Sequence, residues 1–378
     1  MKKILFITPY TPSRIAAAEN FTRQVLLDFP ADYEVDLAYF STIEGQTYAA
    51  EKPNIHPFFL GHVTRKERIR MCLSLPFLFP LFSVRFRRPV LNMLRKMHKE
   101  KHYDLIYCDH SQTFLYGTYF PGVPKILMAH DIEFQRFGRK YGRLAEALCA
   151  ATEKKMIGQP HASVLTFSEK DSALVREKFG IESRPVNFYM DENVVCAEPK
   201  EEHRDRFVFF ANWARPDNSD GLVWFLDNVL PHLKSRDGIS VIGGGADDLL
   251  KKKMADSGVR YSGFLENPYP EIAGASAVIA PLFQGAGVKV KVIESLACGT
   301  PVIGTEIAFE GVSRSFRDAL YPCATPAEFA ETINSFRFPL VRKKKLKKLF
   351  FEEANGMTPV RVIQEIFNGN SIVPGRTQ

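Results

Sequence analysis

Short, continuous apolar runs recur through the first half of the chain: "ILFIT" (Ile4 to Thr8), "EVDLA" (Glu34 to Ala38), "DLIYC" (Asp104 to Cys108), "KILMA" (Lys125 to Ala129) and "SVLTF" (Ser163 to Phe167). They do not alternate with polar residues, which is the pattern of strands buried on both faces of a parallel sheet. Helical patterns such as "AENFTRQVLLDF" and "ALCAATEKKMIG" fall between them, so this half predicts βαβ units. A second set of strands follows: "RFVFFA" (Arg206 to Ala211), "ISVIG" (Ile239 to Gly243), "VRYSG" (Val259 to Gly263), "SAVIAP" (Ser276 to Pro281) and "PVIGT" (Pro301 to Thr305), with helices in "DGLVWFLDNVLPHL" and "VKVKVIESLACG". Residues 186–206 are polar, charged and without periodicity, and predict a linker.

The pattern predicts an α/β protein of two Rossmann-like, doubly wound parallel-sheet domains. The boundaries expected are 1–190, a linker over 191–206, a second domain over 207–355, and a C-terminal helix and tail over 356–378, with return of that helix to the first domain left open. A chain of 378 residues exceeds the size at which one core stops growing. Ligands bind outside the strand C-termini in such sheets, so two of them facing each other predict a site in the cleft.

Composition, with 45% hydrophobic and 25% charged residues, is that of a soluble globular protein. "MKKILFITPY" reaches Pro9 after a short apolar run and predicts a first buried strand rather than a signal peptide. No apolar stretch is long enough to span a bilayer. "MCLSLPFLFPLFSV", Met71 to Val84, is broken by Pro76 and Pro80 and flanked by "RKERIR" and "RFRRP", with "LRKMHKEKH" following. Two readings of the basic segment 62–101 stand: a helix-loop-helix packed on its own domain, or docking on an anionic membrane surface. "VRKKKLKKL", Val341 to Leu349, predicts a solvated basic helix face.

The formal charge of +7 suits a polyanion, an anionic membrane face or a phosphorylated small molecule. Cys72, Cys108, Cys149, Cys196, Cys298 and Cys323 show no CxxC spacing, which predicts reduced thiols in a cytosolic protein. No metal-ligand cluster is expected.

The sharpest chemical signal is "LFQGAGVKVKVIESLACGTPVIGT", Leu282 to Thr305. Helix starts favour negative charge, so Lys289 and Lys291 oppose this one unless an anion sits in front of it. A phosphate or diphosphate would take the amides of Gly285, Ala286 and Gly287 together with both lysines. The alternative is that the lysines extend into water from a surface turn.

The segment Gly258 to Val312, "GVRYSGFLENPYPEIAGASAVIAPLFQGAGVKVKVIESLACGTPVIGTEIAFEGV", resembles the nucleotide-sugar-binding half of glycosyltransferases with the two-domain GT-B fold, in particular glycosyltransferase family 4. The resemblance is dense here and weaker in the N-terminal half. It implies that Gly285, Ala286, Gly287 and Val288 wrap the donor diphosphate and ribose, that Lys289 and Lys291 neutralise the diphosphate, and that Glu294 accepts from the ribose hydroxyls. An ion pair of Glu294 with Lys291 is the alternative. The family's sugar-contacting glutamate is replaced by Ala286. "FVFFANWARPDNSDGLVWFLDNVLP" resembles the family's first strand and loop of this half, which implies Asn212 and Arg215 near the donor; a purely structural loop is the other reading. "VIGGGADD" lacks the full GxGxxG spacing and is a weak phosphate signature. Phe264 stands where the family holds the base, or packs in the core.

In the N-terminal half, "ILMAHDIEFQRF" sets His130, Asp131 and Glu133 at a strand end, and the resemblance places His130 near the transferred sugar. Asp109 and His110 in "DLIYCDHSQ" take the acceptor side. Ser168 and Glu169 in "TFSEKDSALV" follow another strand and also resemble the family. In the opening loop, Ala16, Ala17 and Ala18 replace the family's paired glycines.

The function implied is a hexosyl or related glycosyltransferase, cytoplasmic or peripheral on the inner face of the membrane. It would move a sugar with retention, and without cofactor or metal, from a nucleotide sugar to a glycan, lipid-linked or protein hydroxyl in envelope or exopolysaccharide synthesis. A nucleotide-sugar epimerase on the same fold and a non-catalytic basic binding module remain as alternatives; nucleic acid is the less fitting partner, because the most pointed lysines sit at a helix start rather than in a stripe.

Overall fold

The computed structural model describes residues 1–14, 16–200, 206–354 and 356–369. The tail expected over 371–378 and residues 201–205 of the expected linker lie outside them. The chain divides into two compact units, Met1–Tyr189 with the segment that begins at Met357, and Met190–Gly356.

The first unit is built on seven strands: β1 Lys2–Thr8, β2 Tyr33–Ser41, β3 Ile55–His62, β4 Leu105–Asp109, β5 Lys125–Met128, β6 Ala162–Thr166 and β7 Ser183–Pro185. Their order is β3-β2-β1-β4-β5-β6-β7, and every pairing is parallel. The second unit orders β8 Phe207–Phe210, β9 Ile239–Ile242, β10 Arg260–Gly263, β11 Ala277–Ala280, β12 Val302–Gly304 and β13 Leu320–Pro322 as β10-β9-β8-β11-β12-β13, again all parallel. Both sheets are doubly wound. Strand order reverses between β1 and β4 in one and between β8 and β11 in the other, and such reversals open a crevice at the strand C-termini.

The continuous apolar runs are the central strands. Ile4, Leu5, Phe6 and Ile7 have no exposed surface, and their side chains divide between two cores on opposite faces of the sheet. Three strands carry no such run. β3 contains Pro57 and exposed residues, β7 is "SRP" and β13 is "LYP"; each ends a sheet, where proline and partial exposure are tolerated.

Residues 191–206 include a short helix, Glu192–Cys196, which packs on helix Val290–Ala297. The basic helix Leu340–Ala354 departs from the expected solvated face: Lys343 is buried, and its ammonium donates to the carbonyls of Ala273 and Ala275. Lys347 likewise donates to Val195 and Ala197. Helix Pro359–Phe367 lays Val360, Val362 and Ile363 into the first unit's core. All six cysteines are free, and among the described residues no helix is long and apolar enough to cross a membrane.

Candidate functional site

In the second unit the residues at the sheet's reversal point converge on the start of helix Val290–Ala297. Lys289 is its N-cap; no side chain caps it and no acid lies in its first turn. Gly285 and Gly287 hold φ of 108° and 68°, with the buried Ala286 between them. The two lysines part ways. Lys289 turns back on its own loop, donating to the carbonyls of Ala286 (3.1 Å) and Gly287 (2.7 Å), with Glu310 4.0 Å away. Lys291 donates to Asn218 Oδ1 at 2.7 Å. Burial, then the charges of Arg215 and Lys289, push the Lys291 ammonium down to about 7, against a weaker pull from Asp217.

Asn218 is a residue that no local sequence pattern marks. Its amide donates to the Asn212 carbonyl (2.8 Å), and Asn212 Oδ1 accepts from the Ala214 N–H (3.0 Å), so Lys291, Asn218 and Asn212 form one chain. Helix Pro216–Asn228 can stand this close because of Gly221: a Cβ there would lie 2.1 Å from the Pro281 carbonyl oxygen at the end of β11. Arg215 is exposed and 3.7 Å from Asp217.

Glu294 sits one turn beyond Val290 and accepts from the Tyr269 hydroxyl at 2.9 Å. The expected alternative, an ion pair with Lys291, is not formed, because the Lys291 ammonium is committed to Asn218. Burial pushes the Glu294 carboxyl up to about 7, opposed by the Tyr269 hydrogen bond. Phe264 is 71% exposed, which removes its core-packing alternative. Its Cβ lies 3.4 Å from where a side chain on Gly244 would begin. "GGG" after β9 serves packing: a Cβ on Gly243 would collide with the Ala211 carbonyl at 1.8 Å, and φ there is 123°. Val288 follows in the same loop, partly buried.

In the first unit the ends of β1, β4 and β5 bring together Thr8, Asp109, His110 and His130. Asp109 is fully buried, and its carboxylate is enclosed by these side chains. His130 Nε2 lies 2.8 Å from Asp109 Oδ1, while Thr8 and Thr22 hydroxyls lie 3.0 and 2.6 Å from Oδ2. Burial raises the Asp109 carboxyl, but His110, His130 and the Thr22 hydrogen bond outweigh it and hold it at about 2. The ionised carboxylate accepts from His130 Nε2–H and so fixes the orientation of the ring. Phe21 and Phe167 meet the His130 ring edge-on, at 5.3 and 5.1 Å.

His110 stacks on His130 with centroids 3.4 Å apart and planes 14° apart. It holds φ of 61°, which is strained for a side-chain-bearing residue, and its buried Nε2 has no hydrogen-bond partner. Burial and the neighbouring His130 push it down to about 3. Ligand atoms of Asp109, His110 and His130 lie within 4.8 Å of one another, a cluster that sequence spacing did not foresee. Both Nε2 atoms face the Asp109 carboxylate, that of His130 at 2.8 Å and that of His110 at 3.7 Å, so the three side chains form one group around a single buried acid.

Asp131 and Glu133 do not join this group. Arg136 lies 3.4 Å from Asp131 and 3.3 Å from Glu133. Glu133 is buried and pushed up to about 8 by burial and then by Asp131. Beside it, Glu153, which sequence reasoning passed over, accepts from the N–H groups of Glu133 (3.0 Å) and Phe134 (2.9 Å) and so closes the start of helix Glu133–Tyr141. Ser168 caps helix Glu169–Phe179 through the Asp171 N–H, which gives it a structural task. Ala16 is the uncapped start of helix Ala17–Asp28.

Two parallel, doubly wound α/β units of seven and six strands match the GT-B fold of glycosyltransferases. Residues 204–336 match the family described as Glycosyl transferases group 1, so the second unit carries that group's sequence signature. Among solved structures, sucrose-phosphate synthase from Thermosynechococcus elongatus aligns with a TM-score of 0.70 at 13% identity, over 98% of this chain and 100% of that one. Anabaena HepE in complex with UDP aligns with a TM-score of 0.69 at 14% identity, over 99% of this chain and 100% of that one. An uncharacterised 44.6 kDa protein in the cps region of Klebsiella pneumoniae is 22% identical over 271 residues, 64% of this chain and 68% of that protein.

Proposed function

We propose that the protein transfers a sugar from a nucleotide-diphosphate sugar to a hydroxyl acceptor, and that the start of helix Val290–Ala297 holds the donor diphosphate. The observation that carries this reading is Lys291: a cation withdrawn from water, beside Arg215 and Lys289, with a neutral amide as its hydrogen-bond partner. Three basic side chains around an uncapped helix start, with Glu310 and Asp217 as acidic neighbours of two of them, favour an anion there. Glu294, one turn on, has the second oxygen needed to accept from a vicinal diol while Tyr269 holds the first. The group 1 match over 204–336 spans these residues.

On this reading Lys289 releases its loop carbonyls to meet the diphosphate, Lys291 and Arg215 add charge, and Phe264 lies against the base. The departing diphosphate is stabilised without a bound metal, and transfer retains anomeric configuration. His130, set by Asp109, meets the transferred sugar. The cps-region relative, at 22% identity, supports a glycan as acceptor.

Thermal stabilisation by UDP, GDP, dTDP, ADP and CMP, with and without EDTA, tests the donor site, since ligand binding to the native state raises Tm by mass action. One nucleoside diphosphate should stabilise equally in both conditions, and Lys291→Ala should weaken that nucleotide at least about tenfold, the cost of a charge-assisted contact. Unchanged affinity in Lys289→Ala, Lys291→Ala and their double would remove the assignment.

A further inference from the structure

Arg85 lies in the stretch joining helices Pro80–Ser83 and Arg88–Lys101 and is only 2% exposed. Its backbone is fixed: the Tyr116 hydroxyl donates to the Arg85 carbonyl at 2.7 Å and accepts from the Arg87 N–H at 2.9 Å. Its charge is left without a counterpart. Nε and Nη1 are buried with no hydrogen-bond partner, and Arg85 makes no ion pair among the described residues. Arg87 differs, since Glu67 stands 3.0 Å from its Nη2. Burial, before all else, pulls the Arg85 guanidinium below its ordinary pKa; Tyr10 raises it, and the like charges of Arg68 and Arg87 lower it further. Deprotonation does not relieve the cost, because a guanidinium keeps its charge in a protein. Folded interiors pair the charges they bury, since an uncompensated one is strongly destabilising. An arginine held in this way is complete only with an oxyanion beside it.

The groups around it suit that ligand. The Tyr10 ring centre lies 5.6 Å from the guanidinium carbon, and the Tyr10 hydroxyl accepts from Gln112 Nε2 at 3.0 Å, which leaves its own hydrogen to donate. Tyr10 and Gln112 are partly exposed and Arg68 is exposed, so a solute can reach them. Tyr10 also meets the His110 ring edge-on at 5.2 Å, and His110 stacks on His130 at 3.4 Å. Arg85 is thus joined to His130 through two intervening rings. A group that Arg85 holds belongs to a part of the ligand beyond the sugar that meets His130.

We propose that Arg85, with Tyr10 and Arg68, is a subsite for an oxyanion of the acceptor, a carboxylate or phosphate carried by a sugar, so that the protein selects an anionic acceptor over a neutral one. The selection of an acceptor rests on the glycosyltransferase reading; the anion subsite does not.

The test is thermal melting of the full chain with glucuronate, glucose 6-phosphate or neutral glucose at equal ionic strength, in the wild type and in Lys289→Ala/Lys291→Ala, which removes the donor-site lysines. Glucuronate, glucose 6-phosphate or both should raise Tm where glucose does not, and the rise should persist in the double-alanine variant. A rise with glucuronate alone names a carboxylate, with glucose 6-phosphate alone a phosphate, and with both an oxyanion of either kind. Arg85→Met, uncharged and of similar reach, should match or exceed the wild-type Tm without ligand. It should also weaken the effective anion at least about tenfold, the worth of a charge-assisted contact. Tyr10→Phe should weaken it about threefold with the fold intact. No rise with either anion, an equal rise in Arg85→Met and wild type, or a rise lost in the double-alanine variant overturns the proposal. So does a ligand-free Tm of Arg85→Met well below the wild type, which would make the guanidinium a structural member of the core. Stabilisation by a nucleoside diphosphate should survive in Arg85→Met, so the donor reading and this one can fail separately.

Discussion

Lys291 shows how one residue can carry information that its sequence position only hints at. A lysine at a helix start is ordinary if its ammonium reaches water, but here the ammonium is drawn under the loop, fixed to Asn218, and depressed to about 7 by burial and by like charges. An arriving diphosphate would reverse the balance and return the group to its charged form, so binding above pH 7 takes up a proton. The sign follows from linkage: affinity is fully present below pH 7 and falls as pH rises, by up to about tenfold per unit until the bound-state pKa is passed. Nucleotide titrations by calorimetry between pH 6 and 9 in buffers of different ionisation heat should show that uptake. Lys291→Arg, charged throughout, should flatten the profile. A wild-type profile as flat as that of the arginine variant would mean that Lys291 keeps its proton in the free protein and that its burial does not govern the site.

At the scale of elements, the site depends on how closely helix Pro216–Asn228 approaches β11. Gly221 makes that approach possible, and Asn218, one turn earlier, is delivered to Lys291 by it. Gly221→Ala would set a methyl 2.1 Å from the Pro281 carbonyl oxygen, and because that contact is backbone the helix has to shift. Overpacking of this kind costs about 1 to 3 kcal/mol. Both Tm and nucleotide affinity should fall, whereas Gly274→Ala, with open space around its Cβ, should leave affinity unchanged. Equal behaviour of the two variants would disconnect the helix position from the site. Central strands and their helices were legible in the chain because burial on both faces leaves an uninterrupted apolar run. β3, β7 and β13 were not, since an edge strand is half solvated and tolerates Pro57, Pro185 and Pro322. The helix-start lysines were legible from charge alone. Asn218, Tyr269 and Glu153 were not, for each acts across a long sequence separation: Asn218 on Lys291, 73 residues away, and Tyr269 on Glu294, 25 away. The stacking of His110 on His130 depends on the parallel pairing of β4 with β5, which no local pattern encodes.

At the scale of the whole molecule, the two sheets have separate cores, and the chain enters the first unit twice. Helix Pro359–Phe367 adds Val360, Val362 and Ile363 to the core around β1 and β2, and its approach is fixed by a hydrogen bond from the Asn187 N–H to the Met357 carbonyl (2.9 Å) and by an Arg184–Glu365 ion pair. Deleting the chain from Met357 onward would strip three buried aliphatic side chains, on the order of 5 kcal/mol, from the first unit. None of the donor residues lies in that unit. Calorimetry should therefore resolve two transitions in the intact protein, of which a stabilising nucleoside diphosphate raises one. Truncation should lower the other while leaving the nucleotide shift in place. If truncation and nucleotide moved a single shared transition, the two cores would be unfolding as one cooperative body, and the donor site's stability would depend on the first unit as much as on its own sheet.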